Sequence, residues 1–289
     1  MSERLYLDAP SLVYRAFFAL PVTIVDPKGQ PVNAVRGFME MVTRLIVDRR
    51  PESIVTVFDH DFRPALRVKA YPGYKADRPE DPPELPVQFD ILTEVLEAAG
   101  IERVEAPDLE ADDALATLMA RKMRSEEAAV VTGDRDLLAL VRDPDIRLLY
   151  PVRGVSELAD FDEAGVEKKF GVPPRLYSDF ATLRGDPSDG LPGVAGIGPV
   201  RATKLLDQYG SVDGILENLD RLPTKQAAVF EAARSYLEAM RTVVGLVTDA
   251  ELRSTAAHSP DPDALERLAR ERNLGSSAAR LSQALSGHR

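Results

Sequence analysis

Ala128-Ala129-Val130-Val131-Thr132-Gly133-Asp134-Arg135-Asp136 reads as a short apolar strand running into a turn that carries two carboxylates. Two earlier apolar runs end in the same way. Arg4 to Asp8 is a strand, Leu5-Tyr6-Leu7, closed by Asp8, and Ser53 to Phe58 is a strand followed by Asp59. Segments at helical spacing lie between them: Leu12 to Leu20, capped by Ser11; Asn33 to Arg50, with Val35, Phe38, Met39, Val42, Leu45 and Ile46 on one stripe; and Leu85 to Gly100, with Phe89, Leu92, Val95 and Leu96 inward. Ile101 to Val104 and Ile146 to Tyr150 add strands, and Gly154 to Glu157 is placed at the sheet edge. This alternation predicts an α/β fold, a mainly parallel central sheet flanked by helices, with its ligand crevice beyond the carboxyl ends of the strands. A strand-end Asp there faces the crevice, although such an Asp also serves as a helix cap or turn residue.

Glu110-Ala111-Asp112-Asp113 adds three acids just before the helix Ala114 to Arg124. Carboxylates held this close repel one another, so a fold that gathers them must supply cations. With only oxygen donors on offer, Mg²⁺ or Mn²⁺ is the natural choice. Acids at a helix N-terminus also stabilise the macrodipole by roughly a few tenths of a kcal/mol each, which explains one or two of them but not the recurrence downstream. On a regular helix Glu110 and Asp113 share a face, while Asp112 points about 160° away from Glu110. Convergence therefore requires Glu110 to precede the regular helix.

At 289 residues and 44% hydrophobic, the chain can bury a sizeable core. No apolar run approaches the roughly 18 to 20 residues that cross a bilayer, and Met1-Ser2-Glu3-Arg4 lacks a signal-peptide layout. A cytoplasmic location without a membrane partner is expected. The absence of Cys excludes disulfides, thiolate zinc sites and thiol catalysis, and three His leave no imidazole-rich site. His60, beside Asp59, could serve as a ligand or general base but reads first as a solvated loop residue. A net charge of -11 argues at first against nucleic acid. With the metal-binding acids set aside, acidic and basic totals nearly balance, and bound divalent ions would draw phosphate.

Asp61 to Pro86 changes character, mixing Arg63, Arg67, Lys69, Lys75 and Arg78 with Tyr71 and Tyr74 before Pro79, Pro82, Pro83 and Pro86. Such a segment grips single-stranded phosphates and stacks on bases, or forms a solvated loop. From Asp162 onward helical patterns take over: Glu163 to Phe170, Pro174 to Leu183, Val200 to Tyr209, Val212 to Glu217, Gln226 to Thr242, Pro262 to Asn273 and Ser276 to Leu285. The division expected is an α/β core over residues 1–172, with the basic segment near 61–86, and a helical region over 173–289. Within the latter, Asp186 and Asp189 precede a Gly-rich hairpin. Gly193, Gly196 and Gly198 let backbone N–H groups approach an anion, and Arg201 and Lys204 follow on the next helix. The unit reads as a helix-hairpin-helix that holds duplex backbone without regard to sequence.

In this order the motifs resemble the bacterial and phage 5′-nuclease family, the flap endonucleases that include the N-terminal domain of DNA polymerase I. The matching residues are Leu7-Asp8 with Ser11 to Phe18, Phe58-Asp59, Tyr71 to Arg78, Glu110 to Asp113, Thr132 to Asp136 and Gly185 to Gly198. The resemblance implies a PIN-like 5′-nuclease fold and a two-metal phosphodiesterase acting on DNA with 5′ flaps or ends. Carried over, Asp8, Asp59, Glu110 and Asp112 stand nearer one ion, Asp134, Asp136, Asp186 and Asp189 nearer the other, and Asp113 completes the set. Lys75 and Arg78 face the scissile phosphate from an arch that also carries Arg67 and Tyr74, and Tyr14 and Arg15 lie near the substrate strand. A K⁺ ion at the hairpin, recruitment by a polymerase or sliding clamp, and a monomeric state are further expectations. Ala9-Pro10 and Gly190-Leu191 replace family residues without removing a carboxylate. No polymerase domain follows residue 289, so a stand-alone family member is expected. A PIN-like ribonuclease and a non-catalytic junction binder are the rivals; the hairpin and Pro-rich arch argue against the first, and the filled acidic positions against the second.

Overall fold

The computed structural model describes residues 3–123, 125–153 and 155–287. The reading of Met1-Ser2, the helix end at Arg124 and the edge segment's start at Gly154 lie outside the described residues. The chain runs β1 (Glu3–Asp8), α1 (Ala9–Ala19), α2 (Asn33–Arg49), β2 (Ser53–Phe58), α3 (Ala65–Ala70), α4 (Leu85–Ala99), β3 (Glu102–Glu105), α5 (Ala111–Arg121), β4 (Glu127–Val131), β5 (Ile146–Arg153), β6 (Glu157–Phe161) and α6 (Glu163–Phe170). There follow α7 (Tyr177–Arg184), α8 (Pro199–Tyr209), α9 (Val212–Glu217), α10 (Thr224–Ala232), α11 (Arg234–Val243), β7 (Arg253–Thr255), α12 (Pro262–Glu271) and α13 (Ser276–Ser286). No helix among the described residues is long and apolar enough to cross a membrane.

The strands assemble in the order β6-β5-β4-β1-β2-β3-β7. The five inner strands are parallel, and β6 and β7 close the two edges antiparallel. The chain moves outward from β1 to β2 and β3, then returns to the other side of β1 for β4 and β5. Loops leaving the carboxyl ends of β1 and β4 therefore diverge, which opens a crevice at that switch point. Asp8 ends β1, Asp134 lies in the loop after β4, and Asp59 directly follows the neighbouring β2.

Side-chain alternation divides the core between the sheet faces. Leu5 and Leu7 join α1, α2 and α4 on one face, whereas Tyr6, Val55 and Val57 join α5 and the helices between residues 162 and 243 on the other. The last two helices pack on the first of these faces through Leu265, Leu274, Ala278 and Leu281. Several elements differ from the sequence reading: the basic segment holds a short helix, α3, and the edge strand runs from Glu157 to Phe161 rather than ending at Glu157. Helix α1 begins at Ala9 because Asp8, not Ser11, is its cap: the Asp8 carboxylate accepts the Ser11 N–H at 3.2 Å. The helix expected over Gln226 to Thr242 breaks at Ala233, where ψ is -1°. Strand β7 was invisible because its three exposed polar residues show no apolar alternation.

Candidate active site at the carboxyl edge of the sheet

Each strand-end acid is fixed by a local donor. Asp8 accepts the Thr132 hydroxyl at 2.5 Å, and the same hydroxyl accepts the Asp134 N–H at 2.8 Å, so one side chain registers β1 against β4. Asp59 accepts the Ala111 N–H at 2.7 Å and thereby ties β2 to the start of α5. Asp134 accepts the Asp136 N–H at 2.8 Å. Across the cleft, Asp186 accepts both the N–H and the hydroxyl of Ser188, at 2.9 and 2.6 Å. Asp189 takes an N–H from Arg78 at 2.7 Å.

Burial first, and then neighbouring acids, raise the carboxyls of Asp8 and Asp136 to about 7: Asp59 and Asp134 act on Asp8, while Asp134, Asp186 and Asp189 act on Asp136. Asp112 is raised well above the usual range, first by burial and then by Asp134, Asp8 and Asp59. Asp59 and Asp134 are raised chiefly by burial. Seven acids thus share one field: Asp8, Asp59, Asp112, Asp134, Asp136, Asp186 and Asp189. Lys75 projects among them, and burial lowers its pKa. The donor chemistry, oxygen only and strongly anionic, fits hard divalent cations. As the side chains stand, no three acids among the described residues converge on a single coordination point. Asp134, Asp136, Asp186 and Asp189 line a 560 Å³ cleft with Arg78, Arg135 and Arg184. Arg184 lowers Asp136 and was missed in the sequence, although it directly precedes Gly185-Asp186.

Besides Asp189, which pairs with Arg78, two of the nine expected metal acids are held by protein cations. Glu110 does precede the helix, with extended backbone at φ -87° and ψ 163°. Its carboxylate nevertheless turns to Arg67, to Lys75 and, at 2.7 Å, to the Tyr74 hydroxyl. Asp113 is fully buried and accepts N–H groups from Arg67 at 2.8 Å, from Val247 at 3.0 Å and from Glu110 at 3.4 Å. The planar fork of Arg67 spans the two carboxylates, which explains why they leave the cluster.

The basic segment also differs from the expected arch. Arg67 is buried, with its guanidinium bonded to Glu110, Asp113 and the Gly245 carbonyl. Tyr74 is buried with Leu191, Met240 and Val243. The segment lies on the 186–190 loop: the Lys75 N–H donates to the Asp189 carbonyl at 2.9 Å, and a side chain at Gly190 would strike the Gly73 carbonyl. Arg78 remains partly exposed beside Asp189. On α1, Tyr14 donates to Asp81, and Arg15 lies 5.4 Å from the Tyr150 ring centroid. Arg15 also covers Gly133, where a Cβ would meet its Nε at 2.4 Å. His60 accepts the Asp108 N–H at 2.9 Å, a loop-fixing role.

In the hairpin between α7 and α8, Gly193 is not free for phosphate. Its N–H goes to the Tyr236 hydroxyl at 3.2 Å, and its αL backbone crosses Arg184 and Gly185 so closely that a Cβ would lie 2.6 Å from the Arg184 carbonyl. Gly196 and Gly198 are exposed, as are Arg201 and Lys204 on α8. Arg201 donates to the Gly196 carbonyl at 2.8 Å and braces the hairpin.

The sheet order, the acid-lined crevice and the trailing hairpin define a PIN-like 5′-nuclease fold. Residues 3–171 match the family described as 5′-3′ exonuclease, N-terminal resolvase-like domain, and residues 172–263 match 5′-3′ exonuclease, C-terminal SAM fold. The chain belongs to the 5′-3′ exonuclease family, nucleases that act on DNA. It is 43% identical over 295 residues to a 5′-3′ exonuclease of Streptomyces coelicolor, covering 95% of this chain and 97% of that one. It is also 43% identical over 251 residues to DNA polymerase I of Mycobacterium tuberculosis, covering 86% of this chain and 28% of the polymerase. A solved structure of T5 5′-exonuclease with bound zinc has the same fold, with a TM-score of 0.68, 17% identity, and coverage of 99% of this chain and 98% of that one.

Proposed function

We propose that this chain hydrolyses DNA phosphodiester bonds where a 5′ single strand leaves a duplex, leaving a 5′-phosphate and a 3′-hydroxyl. The observation that carries the reading is the shared field of seven acids at the switch point, with Lys75 among them. Asp8, Asp59, Asp112, Asp134, Asp136, Asp186 and Asp189 would hold Mg²⁺ or Mn²⁺, two ions or more. Such ions supply an activated water and charge stabilisation at the leaving oxygen. Lys75 and Arg78 offset charge on the phosphate, and Glu110 holds Lys75 in place. Arg67 and Asp113 fix the start of α5 and so aim Asp112. Gly196, Gly198, Arg201 and Lys204 grip the duplex backbone, with a K⁺ ion at the hairpin as a further element. Residues 1–172 cleave and residues 173–289 hold the duplex. In this reading the protein works as a cytoplasmic monomer in replication and repair, alongside a polymerase or sliding clamp.

The test is Asp134→Ala. Mg²⁺-dependent cleavage of 5′-flapped DNA is expected to vanish in this variant, while flap binding in Ca²⁺ persists. Full activity would remove the metal-site reading, and preferential cleavage of single-stranded RNA by the unmodified protein would favour a ribonuclease.

A further inference from the structure

An aromatic hollow beside Asp59 is unused by the chemistry above. It encloses 450 Å³, and its walls include Tyr14, Phe58, Phe62 and Phe89. The ring of Phe89 meets those of Tyr14 and Phe58 at tilted and edge-on geometry, with centroids 6.4 Å apart in both pairs. Arg103 lays its guanidinium over Phe58, 4.9 Å from the centroid; its Nη2 is fixed by Glu105 at 2.8 Å, while its buried Nε has no hydrogen-bond partner. At the rim, Phe62 is 60% exposed although Phe58 is covered.

The hollow is the last of three that adjoin. The acid cleft shares Arg78, Pro187 and Ser188 with a second recess of 510 Å³ beside residues 77–82, and that recess shares Tyr14 and Asp81 with the aromatic one. The Tyr14 to Asp81 hydrogen bond stands at the partition between the second and third. Asp81 and Asp90 border the aromatic hollow, and its cation Arg103 is paired with Glu105, so the rim disfavours a phosphate. A flat base face, by contrast, stacks on the rings, and its exocyclic amines find carboxylate acceptors.

Resting on the 5′-nuclease reading, we propose that this hollow binds a nucleobase of the 5′ single strand, beyond the bond to be cleaved. The strand passes from the acid cleft beside residues 77–82, and one base settles between Phe62 and Phe89. Stacking of this kind is tolerant of base identity. The chain's preference for a 5′ arm thus has a stacking part as well as an electrostatic one.

The test uses the full chain in Ca²⁺ with flapped DNA carrying 2-aminopurine at successive positions of the 5′ arm. Binding is expected to quench the fluorescence at one position, and Phe62→Ala to abolish that quenching. In Mg²⁺, Phe62→Ala should raise KM roughly tenfold with kcat retained, in line with the loss of one stacked base. An arm made abasic at the quenched position should impose the same rise on the unmodified protein and no further rise on Phe62→Ala. Unchanged quenching in Phe62→Ala, or equal KM for abasic and normal arms, would overturn the proposal. If the unmodified protein cleaves no flapped DNA, the nuclease reading fails, whereas the quenching experiment still reports on the hollow.

Discussion

Asp145 shows how a single side chain couples this fold to pH. Its carboxylate accepts from Arg142 at 2.7 Å and from Lys122 at 3.0 Å, with only 5% of the side chain exposed. Arg142, and then Lys122, hold its pKa at about 2, below the ordinary 3.8. A carboxyl depressed on folding stabilises the native state above its unfolded pKa, and that contribution fades as the pH falls toward the folded value. The window here runs from about pH 4 to about pH 2. Urea denaturation of Asp145→Asn should therefore show less loss of stability between about pH 4 and about pH 2 than the unmodified protein. Parallel acid limbs in the two proteins would mean that the pair contributes nothing. The site acids behave oppositely: Asp8 and Asp136 are raised, because burial and like neighbours disfavour their charged forms.

Helix α5 connects the site to the helical region through a stripe of three residues four apart. Asp113 accepts the Val247 N–H at 3.0 Å, Thr117 donates to the Val247 carbonyl at 3.1 Å and accepts the Ala250 N–H at 3.2 Å, and Arg121 donates to the Ala250 carbonyl at 2.6 Å. Residues 245–250 are thus zipped to the helix that carries Asp112. Thr117→Val removes both hydroxyl bonds and leaves two backbone groups unpaired, a loss of about 1–3 kcal/mol. Hydrogen exchange at Ala250, whose N–H donates to Thr117, should quicken in that variant, and unchanged protection would refute the zipper. None of this was legible in the sequence, since side-chain partners 130 positions apart leave no local mark. The strand-end acids were legible, because an apolar run closed by Asp recurs three times and the alternation implies parallel crossovers. Helical spacing also showed that Glu110 must leave the helix line. Where its carboxylate would turn depended on Arg67, whose burial no composition reveals. Arg67 and Tyr74 looked like substrate contacts because a basic, aromatic segment reads the same whether it faces solvent or folds inward.

At the level of the molecule, the carboxyl edge of the sheet carries Asp8, Asp59 and Asp134, and the segment between residues 172 and 243 carries Asp186, Asp189 and the hairpin. The chain leaves the sheet after β6 and returns to it at β7, which pairs with β3, before α12 and α13 settle on the face formed by α2 and α4. Both ends of the excursion are therefore moored, one through β6 and α6 and the other through β7. A module on one tether can swing like a flag, whereas a module moored twice resembles a door, with rotation about a single axis at most. The interval between hairpin and acid cleft then acts as a ruler, and the cut should fall a constant number of nucleotides from the junction whatever the length of the 5′ arm. Sequencing-gel analysis of products from flaps of increasing length checks this, since a cut that drifts with arm length would mean the door swings freely.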